Sequence, residues 1–225
     1  MNEQVKDQFN KLSSEYDERR RLLIPHFEDF YKSGIGFVSY NGISPKVLDI
    51  GAGTGIFTEE MLIRYPRANI TLIDFADDML GQAREKFKNM PEIKCISADY
   101  NTYDFGSEKF DIIISALSIH HLDPDHVRKL YKKTYDLLPQ GGEFINADLA
   151  NSGIPEIDSR YDALWSDFVL KGIGAGENYE KYLKSKEVDK PLPVSDHYLW
   201  LREAGFNNID CVFRYYNFSV LYGKK

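Results

Sequence analysis

The sequence predicts an α/β fold built on a doubly wound, mostly parallel sheet that ends in an antiparallel hairpin. Strand and helix patterns alternate from residue 46 onward, and such alternation implies parallel strands joined by right-handed crossovers. Residues 112–114 are all isoleucine, so this strand is apolar on both faces, as a central parallel strand should be. Two further strand patterns, at 209–215 and 218–223, can pair as the closing hairpin.

The elements of the core follow in a regular order. Short apolar runs predict five strands, at 47–50, 70–73, 93–97, 110–115 and 144–147. A helix pattern follows the first, the second and the fourth of these strands. The helix after the fourth strand has a clear beginning, because Asp123 is a good N-cap residue and Pro124 occupies the first helical position. Residues 194–204 predict another helix, which Gly205 ends.

The N-terminal residues 1–40 predict a helical cap. One helix bears an apolar stripe that ends at Tyr16, and a second helix begins near Pro25. The charged block 17–21 is expected to lie between these two helices.

Residues 151–193 interrupt the alternation and predict a helical insertion. It contains a glycine-rich hinge at 172–176 and a charged helix around 181–186. We therefore expect a single domain over 1–225, in which the two helical segments form a lid. Its parts are the cap 1–40, a cofactor-binding core 46–150, the insertion 151–193, and a C-terminal helix and hairpin 194–225.

Composition narrows the function classes. The chain has 225 residues, of which 28 are basic and 35 acidic, and the net charge of −7 argues against a protein held to nucleic acid by phosphate contacts. Two distant cysteines, Cys95 and Cys211, give neither a zinc pattern nor a disulfide framework, so no metal site is expected. Because no apolar signal region or membrane-spanning stretch occurs, we expect a cytoplasmic protein without a membrane partner.

The segment 47–55, Val-Leu-Asp-Ile-Gly-Ala-Gly-Thr-Gly, predicts a nucleotide-like cofactor. Alternate glycines let the backbone approach a ligand closely, and the helix that follows offers free N–H groups to an anionic group. A dinucleotide fingerprint would need a third glycine at position 56, where the chain has isoleucine. Ile56 therefore argues against an alternative interpretation as an NAD-linked oxidoreductase.

The order of the motifs resembles that of class I S-adenosylmethionine (SAM) methyltransferases over nearly the whole chain. This resemblance implies a Rossmann-like, seven-stranded sheet, SAM as the cofactor, and transfer of a methyl group to an N, O or S nucleophile. A non-catalytic SAM-binding protein is a third interpretation, although the glycine loop is intact. The matching segments are 47–55, 72–74, 97–100, 110–122, 137–142 and 204–206.

The two ends of the chain resemble bacterial enzymes that carboxymethylate the wobble uridine of tRNA with carboxy-SAM. The resemblance lies in residues 16–17, 24–27 and 217–221. That family binds the extra carboxylate with an arginine in the insertion, whereas the comparable stretch 181–184 has two lysines and no arginine, and Phe27 replaces a tyrosine. We therefore expect ordinary SAM and a small-molecule acceptor, with tRNA as the alternative partner. The oligomeric state stays open.

The resemblance also assigns cofactor-binding roles, each with a structural alternative. Asp49 is expected near the methionine amine, or else orients the loop. Asp74 is expected to bind the ribose hydroxyls, or else caps the next helix. The remaining expected contacts are Gly51, Ala52, Gly53 and Gly55 in the loop, Phe75 at the adenine, Asp99 with Tyr100 at the adenine amine or in a turn, and Ser115 with Ala116 beneath the methionine.

Further candidates lie in the helical segments and after the fourth strand. Tyr16 and Arg20 are expected to contact SAM, with Arg19 and Arg21 as rivals or a solvated charge run as the alternative. His120 and His121 are weak candidates for a general base, since methyl transfer requires mainly alignment. An aromatic stripe in the insertion forms either a substrate wall or core, and its members are Tyr161, Trp165 and Phe168.

Overall fold

A computed structural model of the chain describes residues 16–174, 176, 179 and 189–225. Its strands are β1 Lys46–Ile50, β2 Asn69–Asp74, β3 Ile93–Ser97, β4 Ile112–Ala116, β5 Glu143–Asn151, β6 Leu192–Pro193, β7 Asn208–Tyr215 and β8 Phe218–Lys224. Its helices are α1 Tyr16–Leu23, α2 Phe27–Phe37, α3 Ile56–Arg64, α4 Asp77–Lys86, a 3-10 turn Ile119–His121, α5 Pro124–Leu137, α6 Pro155–Ile173 and α7 Val194–Ala204. The predicted order of strands and helices in the core is confirmed.

The sheet has eight strands, of which seven form one continuous path in the order β3-β2-β1-β4-β5-β8-β7. Strands β1 to β5 are parallel, and β8 pairs antiparallel with both β5 and β7. The eighth strand, β6, is a two-residue addition beside β5. The strand order reverses between β1 and β4, so a ligand crevice is expected outside the carboxyl ends of these two strands.

The core has a layer on each face of the sheet. Ile112 and Ile114 of β4 pack with residues of α2, α3 and α4, whereas Ile113 packs with residues of α5 and α7. All three isoleucines are fully buried. The uninterrupted apolar run therefore fits a central strand whose successive side chains enter opposite layers.

The N-terminal cap differs from the prediction in one respect. The charged block 17–21 lies inside α1, not between two helices. Acidic residues in its first turn and arginines in its last turn favour a helix, because they complement the helix dipole. The apolar stripe before Tyr16 lies outside the described residues.

The insertion begins as predicted with a long helix, α6, which ends before Gly174, where φ is 75°. Gly172 still belongs to this helix. The charged helix expected around 181–186 lies outside the described residues. None of the described helices is long and apolar enough to cross a membrane.

Helix α5 begins at Pro124 as predicted, but the expected cap is not formed by a side chain. Asp123 occupies the N-cap position without a capping hydrogen bond. Its carboxylate instead pairs with Lys190, with Nζ at 2.9 Å from Oδ1. Asp123 therefore ties the start of α5 to the segment that precedes β6.

Candidate active site

A cavity of about 570 Å³, its open mouth included, lies at the carboxyl ends of β1, β2 and β4. This is the crevice at which open α/β sheets bind ligands. The cap also contributes, because Tyr31 of α2 forms part of the wall. The other lining residues come from the glycine loop, the β2–α4 junction and the segment after β4: Asp49, Gly51, Ala52, Gly53, Thr54, Ile56, Phe57, Asp74, Phe75, Ala76, Met79, Ala116, Leu117, Ser118 and His121.

The glycine loop uses its glycines for two different purposes. At Gly51, φ is +66°, and a Cβ atom there would lie 1.9 Å from Oγ of Ser118. Only glycine therefore allows the loop to approach the segment after β4 and still line the cavity. Gly55 lies outside the cavity wall, and a Cβ atom there would lie 2.6 Å from the ring of Phe87. The structure therefore shows a packing role for Gly55 at the start of α3, and a cofactor contact at this residue stays a prediction.

Asp49 lies on the cavity wall with its carboxylate almost completely buried. Thr58 donates a hydrogen bond to Oδ2 at 2.7 Å, whereas no group of the described residues donates to Oδ1. Burial, with a smaller contribution from the nearby charge of Asp74, raises the pKa of Asp49 to about 7. A buried oxygen that lacks a donor fits a site for a cationic group, because such an atom is costly to leave unpaired.

Asp74 also lines the cavity, but both of its oxygens already accept hydrogen bonds. Oδ2 accepts from the amide of Gly53 and Oδ1 from the amide of Ala76, both at 2.8 Å. Burial raises the pKa of Asp74 to about 6, even though these amides favour the charged form. Asp74 therefore orders the glycine loop, and each oxygen retains a lone pair for a ligand hydroxyl. Phe75 lies beside it on the wall.

Three expected contact residues lie behind the wall instead of on it, whereas Ala116 does line the cavity. The Tyr100 side chain is fully buried, and its hydroxyl lies 3.0 Å from Oγ of Ser118. Asp99 accepts hydrogen bonds from the amide and side chain of Asn101, as the turn interpretation predicts. Ser115 donates to the carbonyl of Ile50 at 2.8 Å. In this structure these three side chains support the wall.

Helix α1 reaches the glycine loop through a residue that the sequence analysis missed. Thr54 donates a hydrogen bond to Oδ1 of Asp17 at 2.5 Å, and Lys86 donates to Oδ2 at 2.8 Å. Within a charged run, no local pattern distinguishes Asp17 from its neighbours. Arg20 does not line the cavity, and the side chain of Tyr16 lies outside the described part of the chain.

The two histidine candidates have different environments. His120 is buried, with Nδ1 at 2.5 Å from Oδ1 of Asp148 and Nε2 at 3.3 Å from Oδ1 of Asp189. Burial disfavours a charged ring, but the two carboxylates outweigh burial and raise the pKa of His120 to about 10. Nε2 therefore carries a second proton unless another cation takes its place. The ring of His120 cannot act as a base in this state.

His121 lines the cavity, whereas His120 does not. Burial, together with the charge of His120, lowers the pKa of His121 to about 3, so its ring is neutral at physiological pH. Of the two candidates, only His121 is therefore placed to accept a hydrogen bond from a molecule in the cavity.

The aromatic residues of α6 do not line the cavity. Trp165 is buried, and its indole N–H donates to the carbonyl of Leu23 at 2.8 Å. It therefore joins α6 to α1 and is core, which was the alternative to a substrate wall. The ring of Tyr161 packs against Tyr216, and Phe168 is partly exposed on the same helix. A substrate contact at these last two positions stays a prediction.

Comparison with known proteins assigns the family. Residues 47–142 match a family described as a methyltransferase domain. A carboxy-S-adenosyl-L-methionine synthase of Nautilia profundicola is 23% identical over 97% of this chain and 95% of its own length. A malonyl-[acyl-carrier protein] O-methyltransferase of Ilyobacter polytropus is 33% identical over 47% of this chain and 38% of its own length. These matches support a class I SAM-dependent methyltransferase, with the methyltransferase domain at residues 47–142.

Further relatives and solved structures agree with this assignment. A ubiquinone/menaquinone biosynthesis C-methyltransferase of Bartonella bacilliformis is 26% identical over 94% of this methyltransferase and 82% of its own length. An O-methyltransferase family 2 protein of Planctomyces limnophilus has the same fold, with a TM-score of 0.67 at 19% identity over 98% of this chain and 61% of that one. Human N-acetylserotonin methyltransferase, solved with SAM, has a TM-score of 0.60 at 17% identity over 87% of this chain and 51% of that one.

The comparisons also decide between the interpretations that the sequence left open. SAM is the cofactor, and the protein is an enzyme, so the NAD-linked and the non-catalytic interpretations are not retained. The tRNA alternative has no support, because the names of these relatives do not refer to tRNA. Relatives that match nearly the whole methyltransferase include enzymes named for the synthesis of carboxy-SAM.

Proposed function

We propose that this methyltransferase transfers the methyl group of SAM to an N, O or S nucleophile of a small molecule bound in the cavity at the carboxyl ends of β1, β2 and β4. The observation that best supports the cofactor placement is the buried Oδ1 atom of Asp49, which has no donor among the described residues and belongs to a residue on the cavity wall. A cationic amine is the group that such an oxygen accepts best.

The other residues on the wall suit the remaining parts of SAM. The loop 51–53 leaves room for the methionine tail, because two of its three residues have no side chain. Asp74 has lone pairs for the ribose hydroxyls, and Phe75 offers an aromatic face to the adenine. We infer that Asp99 and Tyr100 act from behind the wall, by fixing the turn and Ser118.

Alignment is the main contribution of the protein to this reaction. The cofactor supplies a methyl group already activated on a sulfonium, so the enzyme must orient the acceptor and exclude water. His121 is a neutral side chain on the wall that can accept a hydrogen bond from the N–H, O–H or S–H group of an acceptor. Its low pKa makes it an orienting group more than a strong base.

The net charge of the chain and the names of its relatives bear on the nature of the acceptor. The net charge of −7 disfavours a polyanionic acceptor such as tRNA. One relative is named for a malonyl group on a carrier protein and another for carbon methylation in quinone biosynthesis. We therefore include carbon with nitrogen, oxygen and sulfur among the atoms that could accept the methyl group.

Calorimetry with SAM and with NAD tests the cofactor site. We expect SAM to bind, NAD not to bind, and Asp49→Asn to weaken SAM binding by about tenfold or more, since a charged hydrogen bond contributes roughly 1.5–3 kcal/mol. The matched control is Asp136→Asn, which changes an exposed aspartate that pairs with Lys132. Equal SAM affinity in the two variants would refute the placement of the amine at Asp49.

Methyl transfer from labelled SAM to host extract tests the acceptor. The extract is divided by ultrafiltration into a small-molecule filtrate and a retentate that holds tRNA and proteins. We expect label to appear in filtrate compounds when the enzyme is added. Transfer only into the retentate, and its loss after ribonuclease or protease treatment, would show that the acceptor is a macromolecule.

Formation of carboxy-SAM is a second candidate function, because carboxy-SAM synthases are similar to this chain over nearly their whole length. Mass spectrometry of the nucleoside released from the purified protein distinguishes the two candidates. Bound S-adenosylhomocysteine, the product of methyl transfer, favours the first candidate, whereas bound carboxy-SAM favours the second.

A further inference from the structure

Two consecutive histidines and a distant aspartate meet beside the cavity. Oδ1 of Asp189 lies 3.3 Å from Nε2 of His120 and 3.6 Å from Nδ1 of His121. One ligand atom from each residue lies within 4.8 Å of both others. The side chains of both histidines are about 95% buried, and that of Asp189 is 19% exposed, so water screens these groups only weakly.

A fourth residue fixes the orientation of the first histidine. Asp148 accepts hydrogen bonds from the backbone amide of His120 at 3.0 Å and from Nδ1 of its ring. This arrangement leaves Nε2 directed at Asp189. A carboxylate behind a histidine is the usual outer partner of a metal-binding imidazole, because it sets the tautomer and raises the basicity of the other nitrogen.

The distances from Oδ1 of Asp189 to the two histidine nitrogens match those in a metal centre. Ligands at about 2.0–2.1 Å from a tetrahedral zinc ion lie roughly 3.3–3.4 Å apart, close to the two distances of 3.3 and 3.6 Å measured here. We propose that His120, His121 and Asp189 form a binding site for a divalent transition-metal ion, with Asp148 as the outer partner of His120.

The ligand types restrict the metal. Two imidazole nitrogens and one carboxylate suit zinc and its neighbours, whereas magnesium and calcium prefer oxygen ligands. Three protein ligands leave a fourth position for water or another molecule, as in catalytic zinc sites. Since His121 also lines the cavity, the ion would lie beside it. With Nδ1 of His121 on the ion, its Nε2–H would donate a hydrogen bond to the acceptor molecule instead of accepting one. No local sequence pattern indicates this site, because Asp189 is far along the chain from the histidine pair.

Zinc binding by the full-length, tag-free chain tests this proposal. The protein is stripped with a chelator and dialysed against Zn²⁺, and bound metal is measured by elemental analysis. We expect one equivalent of zinc, no displacement by excess Mg²⁺, and a loss of affinity of about tenfold or more in Asp189→Asn. The matched control is Asp123→Asn, because Asp123 pairs with neighbouring Lys190 but is not one of the three ligands. We expect this control to bind zinc like the unaltered protein.

Two results would overturn the proposal. If the unaltered chain takes up no zinc, a second proton on His120 accounts for the short distances to both carboxylates. If Asp189→Asn stays folded by circular dichroism and keeps its zinc, the ion lies elsewhere. Visible absorption of the Co²⁺-loaded, unaltered chain is a readout that needs no variant: we expect bands of a four-coordinate site with nitrogen and oxygen ligands. None of these measurements requires SAM or activity, so their failure leaves the proposed function untouched.

Discussion

Two buried aspartates on the cavity wall differ in a way that the sequence does not reveal. Both end or nearly end a buried strand, and burial raises the pKa of each. Asp74 accepts two backbone hydrogen bonds that order the glycine loop. Asp49 accepts one, from Thr58, and its other oxygen has no donor within the described chain. A carboxylate in the second situation costs stability without a ligand and contributes affinity with one.

We expect Asp49→Asn to stabilise the protein without SAM. The folded pKa of about 7 lies above the unfolded value of about 3.9, so the unfolded state loses its proton first as pH rises. Stability therefore falls between these two pH values, and the full cost is present above pH 7. Asparagine avoids this cost, and we expect it to add about 1–3 kcal/mol to the free energy of unfolding at pH 8.

Urea unfolding at pH 8 and pH 4 measures this difference. The gain should be present at pH 8 and disappear towards pH 4, where the unaltered residue is protonated in the folded state. Because Asp74 is present in both proteins, its own titration largely cancels in the comparison. A variant less stable than the unaltered protein at pH 8 would contradict the expected cost of the buried charge.

The same pKa predicts how SAM binding depends on pH. A cationic amine needs the charged form of Asp49, so below a pKa of about 7 binding must first remove a proton. Each pH unit below 7 should therefore weaken SAM binding about tenfold, with Asp74 adding to the effect near its pKa of about 6. Calorimetry at pH 6 and pH 7.5 measures this change. Constant affinity over the interval would show that neither carboxylate titrates on binding.

At the scale of elements, α1 is attached to the cavity at one end and to the insertion at the other. Asp17 contacts Thr54 of the glycine loop and Lys86 of α4. At the opposite end, the carbonyl of Leu23 accepts the indole N–H of Trp165 in α6. The two helical segments expected to form a lid are thus hydrogen-bonded to each other, and α1 is also hydrogen-bonded to the glycine loop on the cavity wall.

We expect Asp17→Asn to loosen this attachment and to accelerate SAM dissociation. The Asp17 side chain is 40% exposed, so its ion pair with Lys86 contributes little alone, and the charged hydrogen bond from Thr54 adds to it. A loss of about 1 kcal/mol corresponds to roughly fivefold faster dissociation. Stopped-flow release of SAM measures the rate. Glu18→Gln is the control, because Glu18 is its exposed neighbour; equal rates in both variants would assign no lid function to Asp17.

At the scale of the whole molecule, local pattern predicted the sheet and the glycine loop but not the buried polar contacts. The strands and helices could be predicted from the periodicity of apolar residues. The need for glycine at position 51 could be predicted from the backbone conformation that the loop requires. The contacts of Asp148 and Asp189 with His120 join residues far apart in sequence, and no local pattern records such pairs. For the same reason, Trp165 could not be assigned to core or cavity before the packing of α6 on α1 was known.

Binding of SAM should stabilise the whole fold. The cavity wall combines α2, the glycine loop, the β2–α4 junction and the segment after β4, so unfolding any of these elements would destroy the site. At a SAM concentration of about 100 times Kd, linkage adds about 2.7 kcal/mol to the free energy of unfolding. For a chain of this size that corresponds to an increase in Tm of roughly 5–10 °C.

Thermal unfolding with SAM, with NAD and with neither measures the shift. We expect only SAM to raise Tm, and Asp49→Asn to lose about half of the increase or more while Asp136→Asn keeps it. An equal increase with NAD would mean that the cavity does not discriminate between the two cofactors, because a nonspecific nucleotide contact would then account for the stabilisation.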